Sequence, residues 1–263
     1  MSNDDQLKVR KTVSKKKSFK ELTIVRDIIF WIDLVGEGQN ENAIFARPFN
    51  EKEAFPQKLT SKKYNIKNNF HGYGGKSYKC IYLKNNFYLI WIDQITNAVW
   101  FQIFKEVASN YRSQKRYLDS VQEPRQLSKS IDGNFDSSFV ISEKNLLYGI
   151  CEINNRDYLF SLNLKKTKQD IHLIKKFKNF AGDLSSNASA GLLSWIEWDS
   201  PYMPWEKNEL FFAQIDLDGE IQKIKKFSNK LINSKKNVSF FQPYWISETH
   251  LVCSEDSLSL IHI

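Results

Sequence analysis

The chain has 263 residues, 41% of them apolar, so it is long enough to bury a sizeable hydrophobic core. Its formal net charge is +8, but the lysines are dispersed and their short runs fall at the ends of apolar segments, as in solvated loops and strand edges. This pattern argues against a nucleic-acid protein, and no apolar run approaches the roughly 20 residues of a transmembrane helix.

The cysteines and the first residues bear on location and cofactors. Cys80, Cys151 and Cys253 are far apart and lack a C-x-x-C spacing, which indicates neither a disulfide framework nor a metal site. Residues 1–20 are charged and polar, so we expect a loose basic N-terminal tail and no secretory signal. We therefore expect a cytoplasmic protein without a cofactor; nucleic-acid binding through the basic tail is the weakest alternative.

From Glu21 onward, short apolar segments of strand length are separated by polar turns rich in Asn, Asp, Gly, Lys and Ser. Helical periodicity is weak, and its best candidate, Glu106–Leu118, fits an irregular insertion equally well. The pattern predicts these strands: Leu22–Asp33, Ala43–Arg47, Tyr78–Leu83, Phe87–Ile92, Ala98–Phe104, Ser138–Ile141, Leu146–Ile153, Tyr158–Leu164, Leu192–Trp198, Glu209–Ile215, Glu220–Ile224 and His250–Ser254.

A short motif recurs along the chain, and each copy is followed by a second strand of similar chemistry. The copies begin at Asn42, Asn97, Asp157 and Asn208, and the following strands are Gln57–Thr60, Arg125–Ser128, Leu173–Lys176 and Lys223–Lys226. Repetition at tens of residues is typical of propellers, whose small sheets bury their apolar faces by stacking around an axis. We predict an all-β fold: an incomplete β-propeller of four-stranded blades, with about four blades plus the start of a fifth. A β-sandwich or open meander is the structural alternative.

Three segments carry a resemblance to a known family. Residues 193–206, LSWIEWDSPYMPWE, closely resemble the LAWLxWDHPNMPWD segment in propellers of the prolyl oligopeptidase family, in its dipeptidyl aminopeptidase and acylaminoacyl-peptidase-like branch. His71–Gly75 resembles that branch's HEYGGG turn, and Phe241–Trp245 resembles its FQPxW strand. The similarity covers about Arg26 to Ser257. Gly72 stands where the family commonly has Glu, Lys76 replaces its third Gly, and the SPDG turn near His250 is lacking.

The family resemblance implies a set of residues that gate substrate access or support the structure. From the residues themselves, Pro201 and Pro204 stiffen a loop that Trp198 and Trp205 can clamp by packing. Gly74 and Gly75 allow a turn that other residues cannot form. Ligand contact by Tyr73, Trp198 or Trp205 stays open, with packing favoured. The candidate residues are His71, Tyr73, Gly74, Gly75, Trp198, Pro201, Pro204, Trp205, Gln242, Pro243 and Trp245.

The resemblance implies a following α/β-hydrolase domain with a G-x-S-x-G nucleophile elbow. These residues contain no such elbow and no catalytic triad can be assigned, so we expect the chain alone to be inactive. Residues 258–263, LSLIHI, are the translation of a transposase mosaic end used in sequencing libraries. We interpret them as non-native and 21–257 as the partial propeller; a natural frameshift is the alternative.

The sequence therefore suggests the N-terminal propeller fragment of a prolyl oligopeptidase-like serine peptidase. Its full-length parent is expected to hydrolyse short peptides or acyl-amino acids, with the propeller gating substrate access. The expected partners are the missing hydrolase domain and those short peptides. The alternative is a stand-alone propeller that binds protein or peptide partners through its loops.

Overall fold

The computed structural model describes residues 19–35, 41–51, 54–108, 116–227 and 238–256. Regular structure in these residues is β-strand, apart from one 3-10 turn at Phe70–Gly72, so the all-β prediction is confirmed. Of the predicted tail 1–20, Lys20 belongs to the first strand and residues 1–18 lie outside the described residues, as do residues 257–263.

The strands form five antiparallel sheets, each built from consecutive segments of the chain, and no sheet closes on itself. Sheet 1 contains β1 (Lys20–Val25), β2 (Ile28–Val35), β3 (Glu41–Pro48) and β4 (Gln57–Lys58). Sheet 2 contains β5 (Tyr78–Leu83), β6 (Asn86–Asp93), β7 (Ala98–Ala108), β8 (Arg116–Ser120) and β9 (Arg125–Gln126). Sheet 3 contains β10 (Gly133–Phe135), β11 (Val140–Ile141), β12 (Leu146–Ile153), β13 (Arg156–Asn163) and β14 (His172–Lys176). Sheet 4 contains β15 (Phe180–Asn187), β16 (Leu192–Trp198), β17 (Glu209–Ile215) and β18 (Ile221–Lys226). Sheet 5 contains β19 (Ser239–Trp245) and β20 (Leu251–Asp256).

Hydrophobic side chains fill the space between successive sheets, so the core is a series of layers rather than one cluster. Strand β6 shows the consequence: Trp91 packs toward sheet 1 and Ile90 toward sheet 3, and both are fully buried. A strand covered on both faces reads as an unbroken apolar run, which is why its sequence shows no alternation.

The repeated motif occupies equivalent positions in the sheets. Its aromatic residue stacks across the strand pair in sheets 1, 2 and 4, and these pairs are Trp31 with Phe45, Trp91 with Trp100, and Trp195 with Phe211. In sheet 3 the position opposite Phe160 is Gly149, where an added Cβ would lie 2.7 Å from the phenylalanine ring. The glycine therefore makes room for the ring.

Several predicted strands need correction. Leu22–Asp33 is a hairpin of β1 and β2, because the chain reverses at Arg26, whose φ of 55° is left-handed. The described ends of Glu106–Leu118 are strand, since β7 continues to Ala108 and β8 begins at Arg116, so a helix over the whole stretch is wrong. Residues 109–115 lie outside the described residues. Strand β15 was not among the predicted strands. Three predicted strands match the structure at both ends: Leu146–Ile153, Leu192–Trp198 and Glu209–Ile215.

Candidate functional site

Contacts join the first strands of neighbouring sheets at three places: β1 with β5, β11 with β15, and β15 with β19. We call β1, β5, β10–β11, β15 and β19 the inner row. Glu21 on β1 accepts hydrogen bonds from the amide and hydroxyl of Ser77, just before β5. Asp183 Oδ2 on β15 accepts from the amide of Gln242 on β19 at 3.1 Å. Glu21, Asp183 and Gln242 all have left-handed φ near 50°, at bulges where each strand's register shifts.

Charged side chains share this row. Burial raises the pKa of the Asp136 carboxyl, with the charge of Asp183 adding to the effect, while a hydrogen bond from Ser138 opposes it. Burial lowers the pKa of the Lys79 ammonium, and Lys76 lowers it further, whereas Asp136 and Asp183 raise it. Lys79, Asp136 and Asp183 therefore feel one another's charge along the inner row.

The inner row has two ends. We call the side where β5, β15 and β19 begin the front end, and the side where they finish the back end. The turn Phe70–Gly72 precedes β5 and lies at the front end. There, Nε2 of His71 lies 2.8 Å from Oδ2 of Asp157, and the two side chains are only 5% and 1% exposed. The His71 amide also donates to Glu152 Oε2 at 3.1 Å, so two carboxylates of sheet 3 hold this turn.

Aromatic rings enclose His71 on several sides. Its imidazole lies against the Phe70 ring at a centroid distance of 3.8 Å, tilted by 31°, and meets Phe180 and Trp198 edge-on at 5.2 and 5.6 Å. The hydroxyl of Tyr73 lies 3.4 Å from His71 Nδ1, yet Tyr73 is 64% exposed. Burial of the hydroxyl raises the pKa of Tyr73, and the charges of Asp157, Asp136 and Glu152 raise it further. Tyr73 therefore presents a neutral phenol at the front end.

The glycines of this turn differ from expectation at one position. Gly74 has a φ of 79°, and an added Cβ would lie 3.1 Å from the Asn68 carbonyl oxygen, so only glycine fits without strain. Gly75 has no such conformation; the second left-handed glycine is Gly72, with a φ of 78°.

The Trp-Pro loop joins β16 to β17 at the same end, and its Ser200–Pro201 peptide bond is cis. The expected clamp by two tryptophans is replaced by another arrangement, because Trp198 packs on His71 and Phe180 while Trp205 is 45% exposed. Asn208 braces the loop instead, with Nδ2 donating to the carbonyl oxygens of Pro204 and Phe240 at 2.8 and 2.9 Å.

The sequence candidates thus fall in three places. His71, Tyr73 and Trp198 come together at the front end, with Pro201, Pro204 and Trp205 in the adjoining loop. Gln242 and Pro243 lie at the bulge of β19. Trp245 ends β19 at the back end, where it lines a separate pocket.

The sequence did not reveal the role of the polar residue that begins each motif copy. Each of these side chains bonds to the chain that leads into, or forms, the first strand of the next sheet. The pairs are Asn42 with Asn65, Asn97 with Ile131 and Gly133, Asp157 with Ala181, and Asn208 with Phe240. Asp157 also pairs with His71, which leads into the first strand of the preceding sheet. The recurrence of Asn or Asp at one motif position was the signal that could have identified Asp157.

Two features are absent from the described residues. No helix there has the length and apolar character needed to cross a bilayer. No group of three or more His, Cys, Asp or Glu side chains there is arranged to hold a metal ion.

The chain is an all-β protein of stacked antiparallel meanders, and its fold is similar to that of solved peptidase structures. It superimposes on a puromycin-hydrolysing peptidase of Mycobacterium tuberculosis with a TM-score of 0.71 and 17% identity, over 92% of this chain and 35% of that one. A puromycin hydrolase matches with a TM-score of 0.70 and 16% identity, over 92% and 36% of the two chains. The resemblance carried by the sequence is therefore confirmed at the level of the fold.

The chain spans about a third of the length of these peptidases. No protein-family model matches it, and no curated protein matches it in sequence.

Proposed function

We propose that the chain is the N-terminal β-propeller region of a serine peptidase similar to the prolyl oligopeptidase family. Sheets 1 to 4 are its blades, and sheet 5 begins a fifth. The observation that carries the proposal is the superposition on puromycin-hydrolysing peptidases over 92% of this chain. The inner row supports it, because the first strands of stacked blades line a common axis.

In the longer parent protein, a separate α/β-hydrolase domain supplies the nucleophile, and the propeller controls which substrates reach it. The parent hydrolyses short peptides or acyl-amino acids. The front end suits this role, since Asp157 and Glu152 fix the His71 turn while Tyr73 stands 64% exposed beside it. Because the turn that carries Tyr73 is held by buried partners, its ring narrows the passage for substrates without a loss of side-chain entropy each time a substrate binds.

The first experiment is to sequence the native locus beyond the codon for Ser257 and express the complete product. This also tests whether 258–263 are native. We expect an open frame with a G-x-S-x-G elbow, labelling of its serine by a fluorophosphonate, and hydrolysis of aminoacyl and acyl-aminoacyl nitroanilides. A complete product that neither labels nor hydrolyses these substrates would overturn the enzymatic proposal.

The gating role has its own test in that protein. Tyr73→Ala should increase kcat/KM for a 20-residue peptide relative to a dipeptide nitroanilide, whereas Tyr117→Ala, on β8 and 44% exposed, should leave the ratio unchanged. If the ratio of the two kcat/KM values is unchanged in the Tyr73 variant, Tyr73 does not control substrate access.

A binding module is the second candidate. It is favoured by Tyr73, Tyr202 and Trp205, which are 64%, 40% and 45% exposed. Aromatic side chains of this kind are common anchors in protein interfaces. An immediate native stop after Ser257, with peptide or protein capture that depends on Trp205, would favour this function.

A further inference from the structure

A pocket of about 780 Å³ opens at the back end of the inner row. Four successive sheets contribute to it, because each first strand finishes there: Leu83 ends β5 and Lys84 follows it, Glu143 follows β11, Ser186 and Asn187 end β15, and Trp245 ends β19. Its volume lies in the range of about 300 to 1,000 Å³ that small-molecule sites occupy. None of the front-end residues around His71 lines it.

The rim of this back-end pocket carries charges of both signs. Lys84, Glu143 and Glu248 line it, and within the described part of the chain none of the three forms an ion pair. Elsewhere exposed charges do pair, as in Lys178 with Asp199 at 2.8 Å. A cation and two anions left unpaired around one cavity complement a ligand that itself carries both charges.

The apolar side of the pocket is held in place. The indole N–H of Trp245 donates to Ser194 Oγ at 3.1 Å, which fixes the ring against β16. Asn187 Nδ2 donates to the Ser247 carbonyl oxygen at 2.7 Å and ties the segment after β19 to the end of β15. Ile246, 60% exposed, extends the apolar surface. A fixed aromatic wall favours a flat or large apolar side chain.

We propose that the back-end pocket binds short zwitterionic peptides that carry an aromatic or large apolar side chain. The ligand carboxylate lies at Lys84, its ammonium at Glu143 and Glu248, and its side chain against Trp245. The peptide class rests on the proposed function; the two charges and the apolar wall rest on the pocket alone. The site is distinct from the front end, so it holds a peptide before or after passage along the inner row.

The test uses the 263-residue chain captured at low density on a sensor surface, with the dipeptide Phe-Phe as probe. We expect saturable binding that weakens about tenfold when the probe is N-acetylated and about tenfold when it is C-amidated, since each change removes one charge. Lys84→Met should weaken binding of Phe-Phe about tenfold and should abolish the preference for the free carboxylate over the amide.

Matched variants separate the pocket from general effects. Lys105→Met removes an exposed lysine from the same sheet, and Tyr117→Phe alters an exposed aromatic residue of β8; both should bind like the parent chain. Equal binding of blocked and zwitterionic dipeptides, or no effect of Lys84→Met, would overturn the proposal. Trp245→Phe would lose the hydrogen bond to Ser194 that fixes the pocket wall, so the test uses the exposed Lys84 instead.

The two proposals fail separately. A complete protein without hydrolase activity whose chain still prefers zwitterionic Phe-Phe would retain the pocket and refute the peptidase. Hydrolysis in the complete protein with no such preference in the chain would refute the pocket alone.

Discussion

Replacing Asp157 by alanine should destabilise the chain more than any exposed charge substitution. Its Oδ2 lies 2.8 Å from His71 Nε2 and accepts the amide of Ala181 at 2.8 Å, with the carboxylate 1% exposed. Its removal leaves the His71 ring and the Ala181 amide without this acceptor, and each buried donor left unsatisfied costs about 1 to 3 kcal/mol. We expect a total of about 3 kcal/mol, because one carboxylate oxygen serves both donors.

Asp157→Asn is the informative companion. Asparagine can place its carbonyl oxygen where Oδ2 lies, as Asn208 does at the same motif position, so both donors keep an acceptor but lose the charge. The expected loss is about 1 kcal/mol. Asp170→Ala, with a carboxylate 81% exposed and 2.7 Å from Lys129, should change stability by less than about 0.5 kcal/mol.

Urea unfolding at equal m-values measures these differences. At about 2 to 4 °C per kcal/mol for a chain of this size, Asp157→Ala should also lower Tm by about 6 to 12 °C. Hydrogen exchange at the Ala181 amide should accelerate in the same variant. A loss below about 1 kcal/mol, with exchange at Ala181 unchanged, would refute the idea that this carboxylate joins sheets 3 and 4.

Three further predictions concern packing, pH and self-association. Gly149→Ala should destabilise by about 1 to 3 kcal/mol, because the new methyl would lie 2.7 Å from the facing phenylalanine ring. Asp136→Asn should gain stability relative to the parent as pH rises. Burial raises the pKa of the carboxyl above its usual 3.8, so the group favours folding fully below that pH and less as pH rises through its folded pKa. Changing Leu22 and Ile24 to lysine should reduce self-association, since both are exposed, at 59% and 51%, on the uncovered face of sheet 1.

Each of these has a control. Gly182→Ala meets only ordinary contacts at 3.5 Å and should cost less than about 0.5 kcal/mol; an equal loss at both glycines would contradict the packing argument. For Asp136, a stability difference that stays constant across pH would exclude titration of its carboxyl. For sheet 1, Leu217→Lys, at an 85% exposed loop position, should leave sedimentation unchanged; a similar decrease in association would show that added charge alone is responsible.

Strand positions could be predicted where turn chemistry bounded an apolar run. Leu146–Ile153 is followed by Asn154 and Asn155, whose left-handed φ values of 51° and 55° form the turn that the sequence suggested. The turn at Arg26 has no Gly, Pro or Asn, so two strands were read as one. Strand β15 could not be predicted from its sequence, because Gly, Asp, Ser and Asn in this inner-row strand interrupt the alternation of apolar and polar residues that indicates a strand.

The candidate site could be predicted only in part. The family resemblance identified His71, Tyr73 and Trp198, which do come together. It did not identify Asp157, which is separated from His71 by 86 positions in the sequence. The two side chains meet only when the sheets stack, so no local sequence pattern indicates the contact. Nor could the sequence separate Trp245 from this group, since the length of β19 decides which end its last residue reaches.

The Asn and Asp side chains that begin each motif copy also bear on how the chain is made. Their bonds to the next sheet span only 23 to 36 residues. At a synthesis rate of about 5 to 20 residues per second, the partner of each is made within about 2 to 7 seconds. Each sheet can therefore dock on its predecessor while the ribosome is still adding the next, so that assembly advances in one direction and each new sheet covers an apolar face soon after it forms.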